Sequence, residues 1–373
     1  MRALEQAWWR QEEGWKARAV LSPLLLAEGG FRAAAALRGA LYGWGVLRTE
    51  RVAAPVVSVG NLAVGGAGKT PAVIAIGRRL ARQGRQVAVL SRGYGARRGD
   101  ARVVADGIRL LLDAAEGGDE PVLVARRLPG ARVLCGPRRA EIARQALALG
   151  ADALILDDGF QHRALARDLD VVVVDAQNPL GNGHCLPRGP AREPLAALRR
   201  AGLVWLSRVD QPDGGAPGLD RLRELARKLT GRAPVESRHA PLEVLDGEMT
   251  RGFGLGSLSG RRVLLLSGLA RPDGFRASAR SLGAVVALER HFPDHHRFSD
   301  AEVEEAFAAA AAGGCDAVLT TEKDAVRLSP GQARRDRLRV LRIEAEIVAG
   351  AEGLDAALDE ALRRHPTRAG VGG

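Results

Sequence analysis

Lys69 and Thr70 close a glycine-rich run, Ala63-Val-Gly-Gly-Ala-Gly-Lys-Thr70. Glycines let successive backbone N–H groups converge on an anion at a helix N-terminus, where the dipole also favours negative charge. An ammonium beside them reaches β/γ-phosphates, and a neighbouring hydroxyl holds Mg²⁺. The usual G-x-x-x-x-G-K-[ST] spacing asks for glycine at position 63, where this chain has Ala63; Gly65, Gly66 and Gly68 are in place, with Ala67 between the last two. A second candidate is Asp157-Asp158, at the end of the apolar run Ala153-Leu-Ile-Leu156. Adjacent carboxylates repel unless a cation compensates, and acids at a strand end downstream of a phosphate loop suit Mg²⁺. Their plain alternative is two loop aspartates capping backbone N–H groups. Arg92, in Ser91-Arg-Gly-Tyr-Gly95, is a phosphate or substrate candidate. Asp119 opens a helix after two glycines. Local sequence reads it as a helix cap, with a catalytic carboxylate as the alternative. His291, His295 and His296 form a His-x-x-x-His-His group around Pro293, in a loop that offers no helix to present a helical zinc site. A proton-shuttling or carboxylate-orienting histidine is the more economical expectation, and His162 joins them as a loop histidine.

These residues need a frame that brings loops together. Val56, Val57 and Val59 read as a buried strand before the phosphate loop, and residues 72–80 as the helix after it. Residues 86–90, 133–134, 153–156, 171–175 and 203–206 read as further buried strands, alternating with helices. That is an α/β pattern with a mostly parallel sheet, whose ligands bind at the carboxyl ends of the strands. Leu203–Leu206 reads as the last strand of this sheet. The pattern weakens over residues 232–260, which places a joint there. A second, smaller α/β unit follows, with strands at 263–266, 284–288 and 317–321, closed by Val340-Leu341 and a helix over 354–364. The expected division is a leader at 1–50, a P-loop NTPase-like domain at 51–235, a second α/β domain at 236–365 and a disordered tail at 366–373.

Composition narrows the class. At 373 residues, 46% hydrophobic and 27% charged, the chain suits two globular domains. No apolar run is long enough to cross a bilayer, and no cleavable signal is evident. Cys135, Cys185 and Cys315 are odd in number and far apart, which argues for a reducing compartment without disulfides. The net charge of +11 is carried almost wholly by arginine, since only Lys16, Lys69, Lys228 and Lys323 are lysines. A lysine surviving such a bias is a candidate for a site needing a compact, flexible charge, which singles out Lys69 and Lys323. The leader holds four of the five tryptophans and Leu24-Leu-Leu26, and suits either an amphipathic helix at the membrane–water boundary or a helical hairpin packed on the core.

Six motifs occur together in order: Gly60-Asn61 with Val64–Thr70; Ser91-Arg-Gly-Tyr94; Asp157-Asp-Gly-Phe-Gln-His162; Gly181-Asn-Gly through Arg192-Glu-Pro194; Phe292-x-Asp-His295; and Thr321-Glu-Lys-Asp324. This pattern resembles the tetraacyldisaccharide 4′-kinase family of Gram-negative bacteria, which also lacks glycine at the position of Ala63. The resemblance implies transfer of the γ-phosphoryl of ATP, with Mg²⁺, to the 4′-hydroxyl of a tetraacylated glucosamine disaccharide 1-phosphate, giving lipid IVA in lipid A biosynthesis. It implies that Ala63, Val64, Gly65, Gly66, Ala67, Gly68, Lys69 and Thr70 bind ATP. It implies that Thr70 with Asp157 or Asp158 serves the metal, and that Asp119 is the catalytic carboxylate supported by His295. Arg92, Gln161, His162 and Asn182 would face the substrate. It further implies a peripheral protein on the cytoplasmic face of the inner membrane, with a lipid disaccharide and the membrane surface as partners, and no nucleic acid or obligate protein partner. Two other classes compete: a phosphate-loop switch or partitioning ATPase at the membrane surface, which would carry an additional lysine where this chain has Val64, and a membrane-surface binding protein without chemistry.

Overall fold

The structure, a computed structural model, describes residues 8–9, 21–93, 101–210 and 215–365. The expected disordered tail at 366–373 and most of residues 1–20 lie outside the described residues. Among the described residues, helix α1 (Leu24–Gly43) precedes the sheet. The first half then builds β1 (Val56–Asn61), α2 (Lys69–Arg82), β2 (Val87–Ser91), β3 (Arg102–Asp106), α3 (Asp119–Arg127), β4 (Arg132–Cys135), α4 (Arg139–Ala148), β5 (Ala153–Asp157), β6 (Leu169–Asp175), β7 (Leu203–Ser207) and α5 (Gly215–Thr230). The second half follows with β8 (Val235–Asp246), β9 (Gly252–Phe253), β10 (Arg262–Ser267), α6 (Asp273–Ser281), β11 (Val285–His291), α7 (Asp300–Ala312), β12 (Ala317–Thr321), β13 (Leu338–Ala349) and α8 (Ala351–Arg363).

Among the described residues these strands form one sheet, ordered β11-β10-β12-β13-β8-β7-β6-β1-β5-β2-β4-β3, with β9 on β8. β1, β2, β5 and β7 are buried along their whole length, because helices cover both faces of a parallel sheet. Two sequence expectations are corrected here. β7 does not end the sheet: β8 pairs parallel with it at Trp205–Val235 and runs on for 12 residues. Val340 and Leu341 belong to a strand of 12 residues that pairs antiparallel with β8 from Arg339–Asp246 to Ala349–Glu236. The weak pattern over 235–246 is therefore a strand. Its polar side chains pair across the ribbon, as Arg238 does with Glu346 at 2.8 Å and Arg342 with Glu243 at 3.1 Å, so no apolar run betrays it.

The register of this ribbon sets the site. β7 ends beside Ser237, whereas β12 ends beside Leu341, itself opposite Val244. β12, β10 and β11 run parallel to β13 and so opposite to β7 and its neighbours. The carboxyl ends of the two strand sets thus face each other across the middle of the β8–β13 ribbon. Helix α8 returns to the first half: Leu354, Ala357, Leu358 and Leu362 share a core with Val57, Val59, Ile76 and Ile155. No helix of the described residues is long and apolar enough to cross a membrane.

Candidate active site

The phosphate loop joins β1 to α2. Gly65 and Gly68 adopt φ of +98° and +87°, conformations that side chains with a Cβ rarely take. The loop is held from outside by its own backbone: the Val64 N–H donates to the Pro190 carbonyl at 2.8 Å, and the Ala67 carbonyl accepts from Ser207 Oγ at 2.7 Å. The Ala67 methyl is buried and joins the core of the first half, so this residue anchors the loop. Gly68 stands at the N-cap of α2, and Lys69 and Thr70 occupy its first turn. Asp158, at the end of β5, lies with its Oδ1 3.4 Å from Lys69 Nζ and its Oδ2 2.8 Å from Arg192 Nη1. It too has a left-handed backbone, φ +53°. Burial opposes its charge, but Lys69 and Arg192 outweigh burial and hold the carboxyl down to about 2. Its neighbour Asp157 is fully buried. Burial, with the charges of Glu120 and Asp158, pushes it up to about 7. Its Oδ2 accepts from Ser91 Oγ at 3.2 Å, and its Oδ1 has no partner among the described residues.

A second cluster lies at the ends of the opposing strands. Asp119, the first residue of α3, is buried, and its Oδ2 accepts from His295 Nδ1 at 2.7 Å and from Arg327 Nη1 at 3.3 Å. Burial would raise the Asp119 carboxyl, but the His295 hydrogen bond and the charges of His295, Lys323 and Arg327 hold it below the usual range. An ionised carboxylate only accepts, so His295 Nδ1 carries the proton in this pair. His295 sits in the loop after β11 at φ +60°, a strained backbone of the kind that persists where surroundings over-determine it. The short helical turn Glu322–Ala325 after β12 supplies the rest. Asp324 accepts from Thr321 Oγ1 at 2.6 Å, from the Gly268 N–H at 3.0 Å and from Arg327. Glu322 pairs with buried Arg127 at 2.5 Å and with Arg342 at 2.6 Å.

Glu120 lies between the clusters. Its carboxylate is 4.0 Å from Lys323 Nζ and is among the charges acting on Asp157. The structure therefore gathers Lys69, Asp157 and Asp158 at one end and Asp119 and His295 at the other, with Glu120 linking them. The substrate candidates lie beside the first end. Gln161 Nε2 donates to the Asn61 carbonyl at 2.9 Å. Burial and the charges of Arg139, Arg167, Arg38 and Arg92 push His162 down to about 4, so it is neutral amid arginines. Asn182 braces its own loop, donating to the Arg188 carbonyl at 3.1 Å and accepting from the His184 N–H at 3.2 Å. The same loop grips α1: buried Glu28 accepts from the Cys185 N–H at 2.9 Å and pairs with His184 at 2.9 Å. The remaining histidines disperse. His291 contacts Ser267 and Glu289, and His296 contacts Glu302, so the three do not converge on a metal. Arg192 belongs to a motif loop read as lining the substrate groove, but its pairing with Asp158 was not foreseen. Sequence reasoning assigned no role to Arg327, Arg139 or Glu120: the abundance of arginine hid the first two, and Glu120 sits beside a residue read as a cap.

The donors available for Mg²⁺ are hard oxygens, the Thr70 hydroxyl and the Asp157 and Asp158 carboxylates. No group of three or more His, Cys, Asp or Glu among the described residues could hold a metal alone. That suits Mg²⁺, which is usually bound through one or two carboxylates together with substrate phosphates. The unpartnered, buried Asp157 Oδ1 is the atom such a cation would satisfy.

A glycine loop on a helix N-terminus, facing a half-buried carboxylate–histidine pair, defines a phosphate-loop phosphotransferase. The sequence model of the tetraacyldisaccharide-1-P 4′-kinase family matches residues 18–363. A tetraacyldisaccharide 4′-kinase of Anaeromyxobacter sp. (strain K) is 64% identical over 370 residues, covering 98% of this chain and 97% of that protein. One of Geobacter metallireducens is 39% identical over 350 residues, covering 92% and 99%. The crystal structure of the "apo" form of LpxK from Aquifex aeolicus in complex with ATP is similar at a TM-score of 0.74 and 29% identity, covering 92% of this chain and 99% of that one. The chain belongs to the tetraacyldisaccharide 4′-kinase family.

Proposed function

We propose that the facing clusters form one phosphoryl-transfer site, with Asp119 as the base for the acceptor hydroxyl. As a member of its family the chain is an ATP-dependent kinase of lipid A biosynthesis, a tetraacyldisaccharide 4′-kinase. The 4′-oxygen attacks the γ-phosphorus, the bond from that phosphorus to the β,γ-bridging oxygen breaks, and ADP leaves. The hydroxyl proton passes to Asp119, which His295 orients through its Nδ1–H. Lys69 and backbone N–H groups of the 63–70 loop hold the β/γ-phosphates, with Ala67 keeping the loop on its core. When bound, Mg²⁺ neutralises charge on the phosphoryl oxygens, and Thr70 with Asp157 or Asp158 would hold it. His162, Gln161, Asn182 and Arg92 line the acceptor side, where the arginines around His162 favour an anionic acceptor. The division at 235/236 is retained as two catalytic halves joined by the β8–β13 ribbon.

The observation that carries this reading is the Asp119–His295 hydrogen bond of 2.7 Å, half-buried at the carboxyl end of the opposing strand set. Helix α1 supports work at a membrane surface, and the need for ATP favours the cytoplasmic side of the inner membrane. The helix's one buried residue is an acid, Glu28, whereas Leu25, Leu26 and Leu37 face outward, the reverse of a helix packed on a core. The test is transfer of radiolabelled γ-phosphoryl from ATP to the tetraacyldisaccharide 1-phosphate in detergent. Mg²⁺-dependent labelling of the lipid is expected. ATP hydrolysis without lipid labelling would favour a switch ATPase.

A further inference from the structure

The proposed mechanism leaves Lys323 without a role, although it is one of only four lysines beside an arginine-dominated charge. Its ammonium lies 3.0 Å from Asp294 Oδ1 and 3.4 Å from His295 Nε2. The same Asp294 Oδ1 accepts the His295 backbone N–H at 3.2 Å. We infer that Lys323 is a positioning residue for phosphoryl transfer: its ammonium, anchored by Asp294, keeps His295 in the form whose Nδ1–H points at Asp119. This rests on the reading of Asp119 as the base.

The chemistry is a choice between two tautomers. A neutral imidazole carries one N–H, and His295 has an acid on each side of its ring. Asp119 Oδ2 stands 2.7 Å from Nδ1, and Asp294 Oδ2 stands 3.6 Å from Nε2. With the proton on Nε2, the ring would turn toward Asp294 and Asp119 would lose its donor. An ammonium has donors and no acceptor, so beside Nε2 it accommodates a lone pair and opposes an N–H. Lys323 also occupies Asp294, the competing acceptor. Arginine would bring a planar fork of five donors, whereas this place, bounded by Asp294, His295 and Glu120, suits a compact point charge. The Glu322–Ala325 turn fixes the Lys323 stem, since Glu322 is held by Arg127 and Arg342 and Asp324 by Thr321, Gly268 and Arg327. Among the described residues, the charged groups that face the Asp119–His295 pair include Lys323, Arg327, Asp294 and Glu120.

The test compares full-length Lys323→Met and Lys323→Arg with wild type and with Asp119→Asn. It measures kcat and KM against pH, and the His295 tautomer by ¹⁵N NMR. For Lys323→Met, kcat is expected to fall by about 10-fold or more, at a KM for ATP within about twofold. Its acid limb should move to higher pH, because a cation that favours ionised Asp119 is gone, and the His295 proton should distribute over both nitrogens. Lys323→Arg, which keeps the charge, should restore the acid limb and part of kcat. Unchanged kcat, pH limb and tautomer in Lys323→Met would overturn the inference. So would a raised KM for the lipid at unchanged kcat, which would make Lys323 a substrate ligand. If Lys323→Met does not fold, a Lys323→Arg protein with wild-type tautomer and pH limb supports the inference, and one with a shifted tautomer and unchanged kcat overturns it. Asp119→Asn separates the two readings. If it transfers phosphate normally, the base assignment fails. If it is inactive while Lys323→Met behaves as wild type, only the role of Lys323 fails.

Discussion

The two ends of the site are built differently. The phosphate end comes from a contiguous loop, residues 63–70, and the end of a neighbouring strand. Its charges are half-buried, and Lys69 rests on Asp158 at 3.4 Å, long for a charged hydrogen bond. The Asp119–His295 end is assembled from segments at 119, 294–295 and 323–327. Its anchor is buried, with the side chains of Arg327, Asp119 and Asp324 4%, 6% and 0% exposed, while His295 stays 29% open toward the cleft. The phosphate end exchanges one anion for another, since Asp158 holds Lys69 where phosphate would. The other end is finished before substrate arrives, which suits a group that must meet the transition state without reorganising.

Substitutions that break this contrast are ranked by expected effect. Lys69→Ala should reduce phosphate transfer by about 10³-fold or more while the thermal midpoint stays near wild type, because Asp158 keeps Arg192. A large drop in midpoint would make the phosphate end structural. Arg327→Ala should do both kinds of damage. It strips buried Asp119 and Asp324 of a partner, which costs roughly 3–5 kcal/mol of stability by denaturant unfolding and lowers kcat. Stability within about 1 kcal/mol of wild type would refute a prebuilt buried anchor.

Asp157→Asn sharpens the comparison through pH. The Asp157 pKa is raised to about 7 in the fold from an ordinary value of 3.8, so the native state binds its proton more tightly than the unfolded chain. The stability from that proton is full below the unfolded value and is lost as pH rises to the folded one. At pH above about 7, with no Mg²⁺ added, Asp157→Asn should therefore melt higher than wild type, yet transfer phosphate poorly. A lower melting point there would contradict the buried, cation-awaiting carboxylate. The smallest effect concerns α1. Leu26→Glu, at a position 87% exposed, should leave stability within about 0.5 kcal/mol. Turnover in detergent should be unchanged while sedimentation with anionic vesicles falls; equal sedimentation would remove α1 from the membrane contact.

The phosphate end was legible because its chemistry is local: glycines, Lys69 and Thr70 lie within eight residues between a β-branched run and an apolar-periodic one. Asp119 was not. Its position beside two glycines reads as a helix cap, and the partner that changes its meaning is 176 residues away. Only the joint order of the motifs, through the family resemblance, pointed to it. The β8–β13 ribbon stayed hidden because its middle is polar on both strands and its charges are satisfied across the pair. Glu28 left a faint signal, a lone acid in a run of leucine, alanine and glycine, whose partner loop lies more than 150 residues on.

The most direct measurement separates binding from transfer in Asp119→Asn. ATP affinity by calorimetry should match wild type, because the phosphate end is intact. Transfer of γ-phosphoryl to the tetraacyldisaccharide 1-phosphate should fall by about 10²-fold or more. Transfer at the wild-type rate with unchanged ATP affinity would contradict a site shared between the two facing strand ends.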